Sequence, residues 1–237
     1  MLLLCIPFFT NAQNKNVINA TRVFPKVDKI DMFEKAIALH AQKFHKGDWA
    51  WRVFYIETGP DAGGYQFVEG PNSWTTIDGR GELGQTHTDD WNKNVSIYLT
   101  DRTSNFYLVA IDSLGTGQLA VGTEKAIVTH VFPKPGYGGE YINHLKKMKK
   151  TWAASNQNVV VYQTAMSGKA GYLIVNRLQN GLKELEEGYR APFRERYEKA
   201  NGASSYQDYL QNIKTIINDE NWSELIILQP KLGSPKM

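Results

Sequence analysis

Apolar side chains recur at helical spacing in two separate stretches of the chain. Within each stretch they lie three or four positions apart, which places them on one face of a helix. The first stretch contains Ile30, Phe33, Ile37, Ala41 and Phe44, and the second contains Tyr141, Leu145, Met148 and Trp152. The pattern therefore predicts two amphipathic helices, one in each half of the chain.

Each predicted helix is followed by an extended apolar run, a turn that contains glycine, and a second run that opens with Gly-Tyr. Short apolar runs bounded by turn residues are typical of β-strands. A further apolar block closes each half. The predicted strands are Trp49–Ile56, a strand from Gly64, and Phe106–Ile111 in the first half, and Val159–Gln163, a strand from Gly171, and Leu225–Leu228 in the second.

The two halves also share sequence. The hexapeptide TRVFPK at 21–26 recurs as THVFPK at 129–134, with five of six positions identical and an offset of 108 residues. Near the end of each half, 95–115 aligns without a gap on 213–233, which pairs one Leu-Gly dipeptide with another. Repetition at this scale indicates a duplicated structural unit.

Each half has the order strand, helix, strand, strand, helix, strand, which is the ferredoxin-like unit. A four-stranded sheet with helices on one face leaves its other face bare, and two such units can bury their bare faces together. The predicted fold is α+β, with two tandem ferredoxin-like βαββαβ units packed sheet to sheet as an intrachain pseudo-dimeric α/β barrel. The expected units are 18–115 and 126–233, joined by a linker at 116–125.

This element order and repeat resemble the dimeric α/β-barrel superfamily over roughly residues 18–233. Its members include antibiotic-biosynthesis-type monooxygenases, stress-responsive barrel proteins and NIPSNAP-like proteins. The resemblance implies a barrel fold and leaves function open, since the superfamily includes cofactor-free oxygenases, haem-degrading enzymes and proteins of unknown role. In many members two identical chains form the barrel, whereas here the two copies would form it within one chain.

The haem-degrading branch implies an Asn on the first strand and a Trp and a His around the second helix. This chain has Asn19, Trp74 and His87 in that order. We expect Asn19 to precede the core of the first strand, and the Trp–His region does not match residue by residue. The roles of that branch are therefore not carried over.

Composition narrows the class of protein. The 237 residues are 42% hydrophobic and 22% charged, which is typical of a globular chain. A net charge of only +3 argues against binding nucleic acid through a broad basic surface. The single cysteine, Cys5, excludes an intrachain disulfide and a cysteine-based zinc site.

The first thirteen residues, MLLLCIPFFTNAQ, have the order of a signal peptide. An apolar run at 2–9 is followed by small and polar residues, with cleavage expected near Ala12 or Gln13. A first strand of the fold is the alternative. The run is too short to span a bilayer, and we expect no stable membrane insertion. The predicted location is exported, periplasmic or extracellular.

The two halves differ most around residues 71–91, a polar, Gly-rich segment that can cover a pocket or form an ordinary surface loop. His40 lies on the apolar face of the first helix and is the candidate catalytic residue, as a general base or ligand contact; a histidine of the core is the alternative. The candidate ligand-binding residues are Trp51, Tyr65, Trp74, His87 and Trp91.

No metal or cofactor is expected. His87 is followed by Asp89 and Asp90, but helix capping by Thr88 or Asp89 explains these residues more simply than a metal site does. His45 and His130 are expected to be exposed or on strands and are assigned no role. No phosphate-binding, nucleophile-elbow or HExxH motif is present.

Two main hypotheses of function remain. The first is an exported barrel that binds a small, planar organic ligand, either as a binding protein or as a cofactor-free, monooxygenase-like enzyme. This hypothesis predicts a cavity beside His40. The second is a non-catalytic structural or interaction protein of the cell envelope, without an enclosed cavity. A haem-binding or haem-degrading barrel is a further alternative. The number of chains in the assembly is left open.

Overall fold

A computed structural model describes residues 14–119, 122–166 and 168–235. The predicted signal peptide, with Cys5, lies outside the described residues. Both halves have the predicted strand-helix-strand-strand-helix-strand order, with the second helical region divided into two helices in each half. The elements of the first half are β1 (Val17–Pro25), α1 (Ile30–Phe44), β2 (Arg52–Ile56), β3 (Tyr65–Asn72), α2 (Trp74–Asp78), α3 (Gln85–Asp90) and β4 (Leu99–Ala110).

The second half repeats this arrangement with longer helices. The offset of 108 residues places β5 on β1 and α4 on α1, as the repeated hexapeptide predicts. The elements are β5 (Lys125–Val131), α4 (Gly138–Ala154), β6 (Asn158–Ala165), β7 (Tyr172–Leu178), α5 (Phe193–Asn201), α6 (Ser205–Ile216) and β8 (Trp222–Leu228).

The strands of the described chain close into one antiparallel barrel in the order β1-β3-β2-β8-β5-β7-β6-β4. Within each half the order is that of a ferredoxin-like sheet, β4-β1-β3-β2 and β8-β5-β7-β6. The sheets are joined at both edges, where β2 pairs with β8 and β4 pairs with β6. Closure satisfies the backbone groups that an isolated four-stranded sheet would leave unpaired at its edges.

The two joints between the halves are built alike. After β4, Gly115 passes so close to β6 that an added Cβ would lie 2.7 Å from the carbonyl oxygen of Val159. After β8, Gly233 passes as close to the first half, with 2.6 Å to the carbonyl oxygen of Trp51. The same two carbonyls accept hydrogen bonds from the amides of Thr116 and Ser234. The Leu-Gly dipeptides aligned in the sequence therefore occupy equivalent crossings.

Alternation along the strands separates two environments. On β1, Ile18 and Ala20 point into the barrel and belong to a buried cluster to which both halves contribute. The intervening residues of β1 point outward to the helices, and Val23 packs with Phe33 and Ile37 of α1. The equivalent cluster of the second half lies between its sheet and α4. The outer face of the first sheet, beneath α1 and α3, is where the site described below lies.

Two local predictions were wrong in detail. The strand expected at 49–56 begins at Arg52, because Gly47, with φ of 59°, opens a single helical turn that ends at Trp49. Trp51 therefore precedes the strand. Asn19, expected before the strand core, lies inside β1 and pairs with Glu69 and Tyr107.

None of the helices in the described segments combines the length and the apolar character that crossing a bilayer requires.

Candidate functional site

A pocket of about 270 Å³ opens on the outer face of the first sheet, between the strands and the segment 80–91. Strands β1, β3 and β4 form its floor, and α3 with the residue that follows it forms the opposite wall. The segment predicted to cover a pocket thus does so with three of its side chains. The lining residues are Asn19, Thr21, His45, Trp51, Phe67, Glu69, Arg80, His87, Trp91 and Asn105.

Three imidazoles meet at one end of this pocket. The ring centroids of His40 and His87 are 4.8 Å apart, those of His40 and His45 are 5.3 Å apart, and those of His45 and His87 are 5.4 Å apart. One nitrogen of each ring lies within 4.8 Å of the other two. His40 and His45 are almost fully buried, whereas His87 is half-buried.

The local fold explains how the three side chains converge. His40 lies on the buried face of α1 beside Ile37 and Ala41. The helix ends at Phe44, and His45 turns inward because it is the extended residue that caps the helix, with φ of −104° and ψ of 97°. His87 lies on α3, which begins after Gly84.

Helix α3 therefore starts four or five residues earlier than a cap at Thr88 or Asp89 would give. Gly84, with φ of 86°, is its N-terminal cap, so Thr88 and Asp89 do not cap it. This displacement places Asp90 at the end of α3, where the chain enters a single π-helical turn at 91–95. Such turns are frequent at functional sites because they re-aim the side chains beside them.

Two carboxylates lie behind the imidazoles. Asp90 Oδ2 is 2.8 Å from His40 Nδ1, and Glu69 Oε1 is 3.4 Å from His45 Nδ1. Glu69 Oε1 also accepts hydrogen bonds of 2.7 Å from Trp51 Nε1 and from a guanidinium nitrogen of Arg80. Its second oxygen is buried and has no hydrogen-bond partner among the described residues.

These contacts fix the protonation of the cluster. Burial lowers the pKa of His40, His45 and His87 below the usual histidine value, although Asp90 and Glu69 oppose the shift for the first two. The imidazoles are therefore neutral at pH 7. The hydrogen bond from His40 holds the pKa of Asp90 below its usual range.

Because an ionised carboxylate can only accept, His40 donates its Nδ1–H to Asp90. The Nε2 lone pair of neutral His40 then faces His87, whose Nε2 is 3.2 Å away. Neither nitrogen of His45 has a hydrogen-bond partner within the described ranges. The cluster thus presents lone pairs that can accept a proton or bind a metal ion.

Aromatic rings form the walls of the pocket next to the cluster. The ring of Trp51 lies between two neighbours, stacked on His45 at 3.5 Å and on Phe67 at 4.6 Å between centroids. Trp91 stands nearly perpendicular to Trp51, with an interplanar angle of 88°. Flat apolar walls with a few polar groups at one end are typical of sites for planar organic ligands.

The structure brings together some of the residues singled out from the sequence and separates others. Trp51, His87 and Trp91 line the pocket, and His40 lies directly behind His87. Tyr65 is in the core, where its hydroxyl donates to Glu34 Oε1 at 2.5 Å and burial raises its pKa. Trp74 packs on Tyr107 at a separate surface depression.

Sequence reasoning missed several residues of the site. His45 was expected to be exposed or on a strand, but it is buried, because it caps a helix whose end faces the sheet. His130 is on strand β5, as expected. Glu69 and Phe67 could have been found from the alternation along β3, which directs both toward the helices. No sequence signal marks Arg80.

Among its described residues, the second half has no equivalent cluster of histidines. At an offset of 108 residues, the positions of His40, His45 and Trp51 correspond to Met148, Ala153 and Val159. Val159 is buried in the core cluster of the second half, with Met148 packed against it. Apolar side chains therefore fill the space that the first half leaves open.

Comparison with known proteins gives a match at the level of structure alone. No protein family model matches the chain, and no curated protein matches its sequence. Among solved structures, a proposed monooxygenase from Fusobacterium nucleatum matches with a TM-score of 0.56 and 11% identity over 90% of this chain and 91% of that one. The fold is that of the dimeric α/β barrels.

Two further solved structures have similar scores. A proposed monooxygenase from Lactobacillus acidophilus has a TM-score of 0.54 and 10% identity over 92% of this chain and 95% of its own. An anthrone oxidase-like protein has a TM-score of 0.54 and 10% identity over 91% of this chain and 92% of its own. At such identities the likeness establishes the fold, which the sequence predicted, and leaves the chemistry to the site itself.

Proposed function

We propose that the first half of the barrel binds a small, planar organic molecule and oxidises it as a monooxygenase-like enzyme. The observation that carries the proposal is a pocket with aromatic walls that ends at three neutral imidazoles. The pocket beside His40 is the cavity that the ligand-binding hypothesis predicts, and it favours that hypothesis over the envelope interaction protein. A cavity of about 80 Å³ in the barrel core is too small for a ring system, and a further cavity of about 230 Å³, lined by Arg22, His130 and Trp222, holds one imidazole rather than three.

The polar groups of the pocket suit a ligand that becomes an oxygen anion. Arg80 brings a positive charge to the wall opposite the floor, and its Nε is a buried donor without a hydrogen-bond partner among the described residues; the amide of Asn19 lines the same pocket. An enolate formed from a ring ketone would be stabilised by such donors. The aromatic rings would stack on the rest of the ligand.

The reaction class follows from this environment. A ring ketone with an activated CH₂ group, such as anthrone, loses a proton to give an enolate. Oxidation of that CH₂ to a carbonyl consumes one O₂ and releases one water, because the two hydrogens of the substrate reduce the second oxygen atom. The balance requires no external reductant, in keeping with the similarity to monooxygenase-like barrels.

The test uses anthrone, 1,4-naphthoquinone, flavin mononucleotide and haem as probes with the purified chain. We expect a planar probe to raise the melting temperature and to quench tryptophan fluorescence. Trp51→Leu should weaken binding at least tenfold, while Trp74→Leu, outside the pocket, should leave it unchanged. Oxygen uptake with anthrone tests turnover. Absence of binding by all four probes would contradict the proposal.

One observation favours haem as a second candidate ligand. Asn19 and His87, which the haem-degrading branch implies, line the same pocket, although Trp74 does not. The pocket of about 270 Å³ is at the lower limit for small-molecule sites, so a tetrapyrrole would require the segment 80–91 to move outward. A Soret band that appears on haem titration and is lost in His87→Gln would support this candidate.

We also propose that the protein is exported, on the basis of the apolar run at 2–9 and the small and polar residues after it. Expression of the full sequence in a Gram-negative host, followed by fractionation and mass determination, tests this proposal. The expected product begins near residue 13 or 14 and lies outside the cytoplasm. A full-length cytoplasmic product would contradict it.

A further inference from the structure

We propose that His40, His45 and His87 bind one divalent transition-metal ion, with an open coordination position directed into the pocket. The inference deepens the proposed function, because it names what the imidazole cluster contributes to the site. It does not require the ligand to be an anthrone or any other particular ring compound.

The spacing of the rings fits a single ion. With metal–nitrogen bonds of about 2.0–2.1 Å and tetrahedral angles, two ligand nitrogens lie about 3.4 Å apart and two imidazole centroids about 5.2 Å apart. The Nε2 atoms of His40 and His87 are 3.2 Å apart, and the three centroid distances are 4.8, 5.3 and 5.4 Å. The ring spacing thus fits one ion, and the ligand nitrogens, which lie within 4.8 Å of one another, would close in to about 3.4 Å on binding it.

One buried nitrogen of the cluster makes no hydrogen bond within the described part of the chain and is free to bind a metal ion. His45 is 1% exposed, and its Nε2 has no hydrogen-bond partner among the described residues. Burial of a polar atom without a partner costs about 1–3 kcal/mol. A metal ion between the rings would use this lone pair together with that of His40.

The surrounding carboxylates lie where metal sites place the groups that orient their histidines. Histidines that bind metals usually direct their other nitrogen to a carboxylate, which fixes the ring and increases its basicity. His40 donates to Asp90, and His45 Nδ1 is 3.4 Å from Glu69. His40 thus makes the hydrogen bond that the role requires, and Glu69 is the carboxylate next to His45 Nδ1, without a hydrogen bond to it.

The donor set also indicates the class of metal. Three neutral imidazoles suit Zn²⁺, Co²⁺, Fe²⁺, Ni²⁺ or Cu²⁺, whereas Mg²⁺ and Ca²⁺ prefer oxygen ligands. Three protein ligands with a fourth position free are typical of catalytic rather than structural sites. Since His45 and His87 line the pocket and His40 lies behind them, the free position faces the pocket.

The test is metal binding by the purified chain, stripped with EDTA and titrated with Zn²⁺ or Co²⁺ alone. We expect about one equivalent of metal, a raised melting temperature, and a visible Co²⁺ spectrum that changes when azide occupies the open position. His87→Gln and His45→Gln should each weaken binding about 100-fold or more. His144→Gln, which removes a histidine of the second half, is the matched control and should bind as the wild type does.

Two further measurements keep the test decisive. Circular dichroism establishes that each variant is folded, and Asp90→Asn should weaken binding about 10- to 100-fold, as expected of a carboxylate behind a metal ligand. Less than a tenth of an equivalent bound by the wild type would overturn the proposal. So would unchanged affinity in the folded His45 and His87 variants, which would place the ion elsewhere.

Failure of this inference can be distinguished from failure of the proposed function. Metal titration uses no organic ligand, and Trp51→Leu should retain the metal while it loses the planar probe. A chain that binds the probe but no metal keeps the proposed function and overturns the metal site. A chain that binds the metal but no probe keeps the metal site and contradicts the proposed function.

Discussion

A half-buried histidine in the second half makes stability depend on pH. His144, on α4, lies between Tyr141, 5.7 Å away, and Tyr209 of α6, 5.4 Å away between ring centroids. Burial lowers the pKa of His144 to about 4, and the nearby charge of Lys147 adds to the shift. Replacement by Phe keeps a ring between the two tyrosines and removes the titrating group.

The magnitude follows from proton linkage. In the unfolded chain the pKa of a histidine is about 6.5, so between pH 6.5 and 4 the unfolded state binds a proton that the folded state does not. The stability is complete above pH 6.5 and falls as the pH is lowered through this window. From pH 7 to pH 5 a single such group costs about 2 kcal/mol, and residual solvent screening reduces this to about 1–2 kcal/mol.

The assay is urea unfolding of the wild type and of His144→Phe at pH 7 and pH 5, followed by fluorescence. The wild type should lose about 1–2 kcal/mol more of its free energy of unfolding than the variant does. The other histidines titrate in both proteins, and their contributions cancel in the difference. Removal of the charge in Lys147→Met should reduce the pH dependence in part. Equal losses in the wild type and His144→Phe would refute the reasoning.

Two other predictions concern the joints between the halves. Glu224 is buried inside the barrel and binds two guanidinium nitrogens of Arg22, which belongs to the opposite half. Glu224→Gln should therefore lower the free energy of unfolding by about 3–5 kcal/mol in urea. Glu220→Gln, at the surface, is the control and should have little effect. Gly233→Ala would place a methyl group 2.6 Å from a backbone oxygen of the first half and should cost about 1–3 kcal/mol. Gly139→Ala, where nothing lies within 4 Å, is the control and should be neutral or stabilising; equal effects in the two glycine variants would contradict the close approach.

The fold could be predicted because its main determinants are local or repeated. Helix α1 follows from the spacing of Phe33 and Ile37, and the paired first strands follow from the duplicated hexapeptide at 21–26 and 129–134. The order of elements then leaves few ways to bury two bare sheet faces. Local geometry was less predictable, since the positive φ of Gly47 and of Gly84 moved the starts of a strand and a helix.

The site could be predicted only in part. Trp51, His87 and Trp91 stood out because the two copies differ around them, and in the structure all three line the pocket. His45 gave no signal, because a residue five positions after His40 would face another side of a continuing helix. It reaches the cluster only because the helix stops at Phe44 and the backbone becomes extended.

The sequence by itself determined the duplicated architecture, because hydrophobic periodicity and repetition are properties of the chain read in order. Only the tertiary structure decided which side chains meet. His40 and His87 are 47 residues apart in sequence and 3.2 Å apart in space, because α3 is packed over the end of α1. Contacts of this kind depend on how elements are oriented and where each one ends, and the spacing of residues along a chain does not record either quantity.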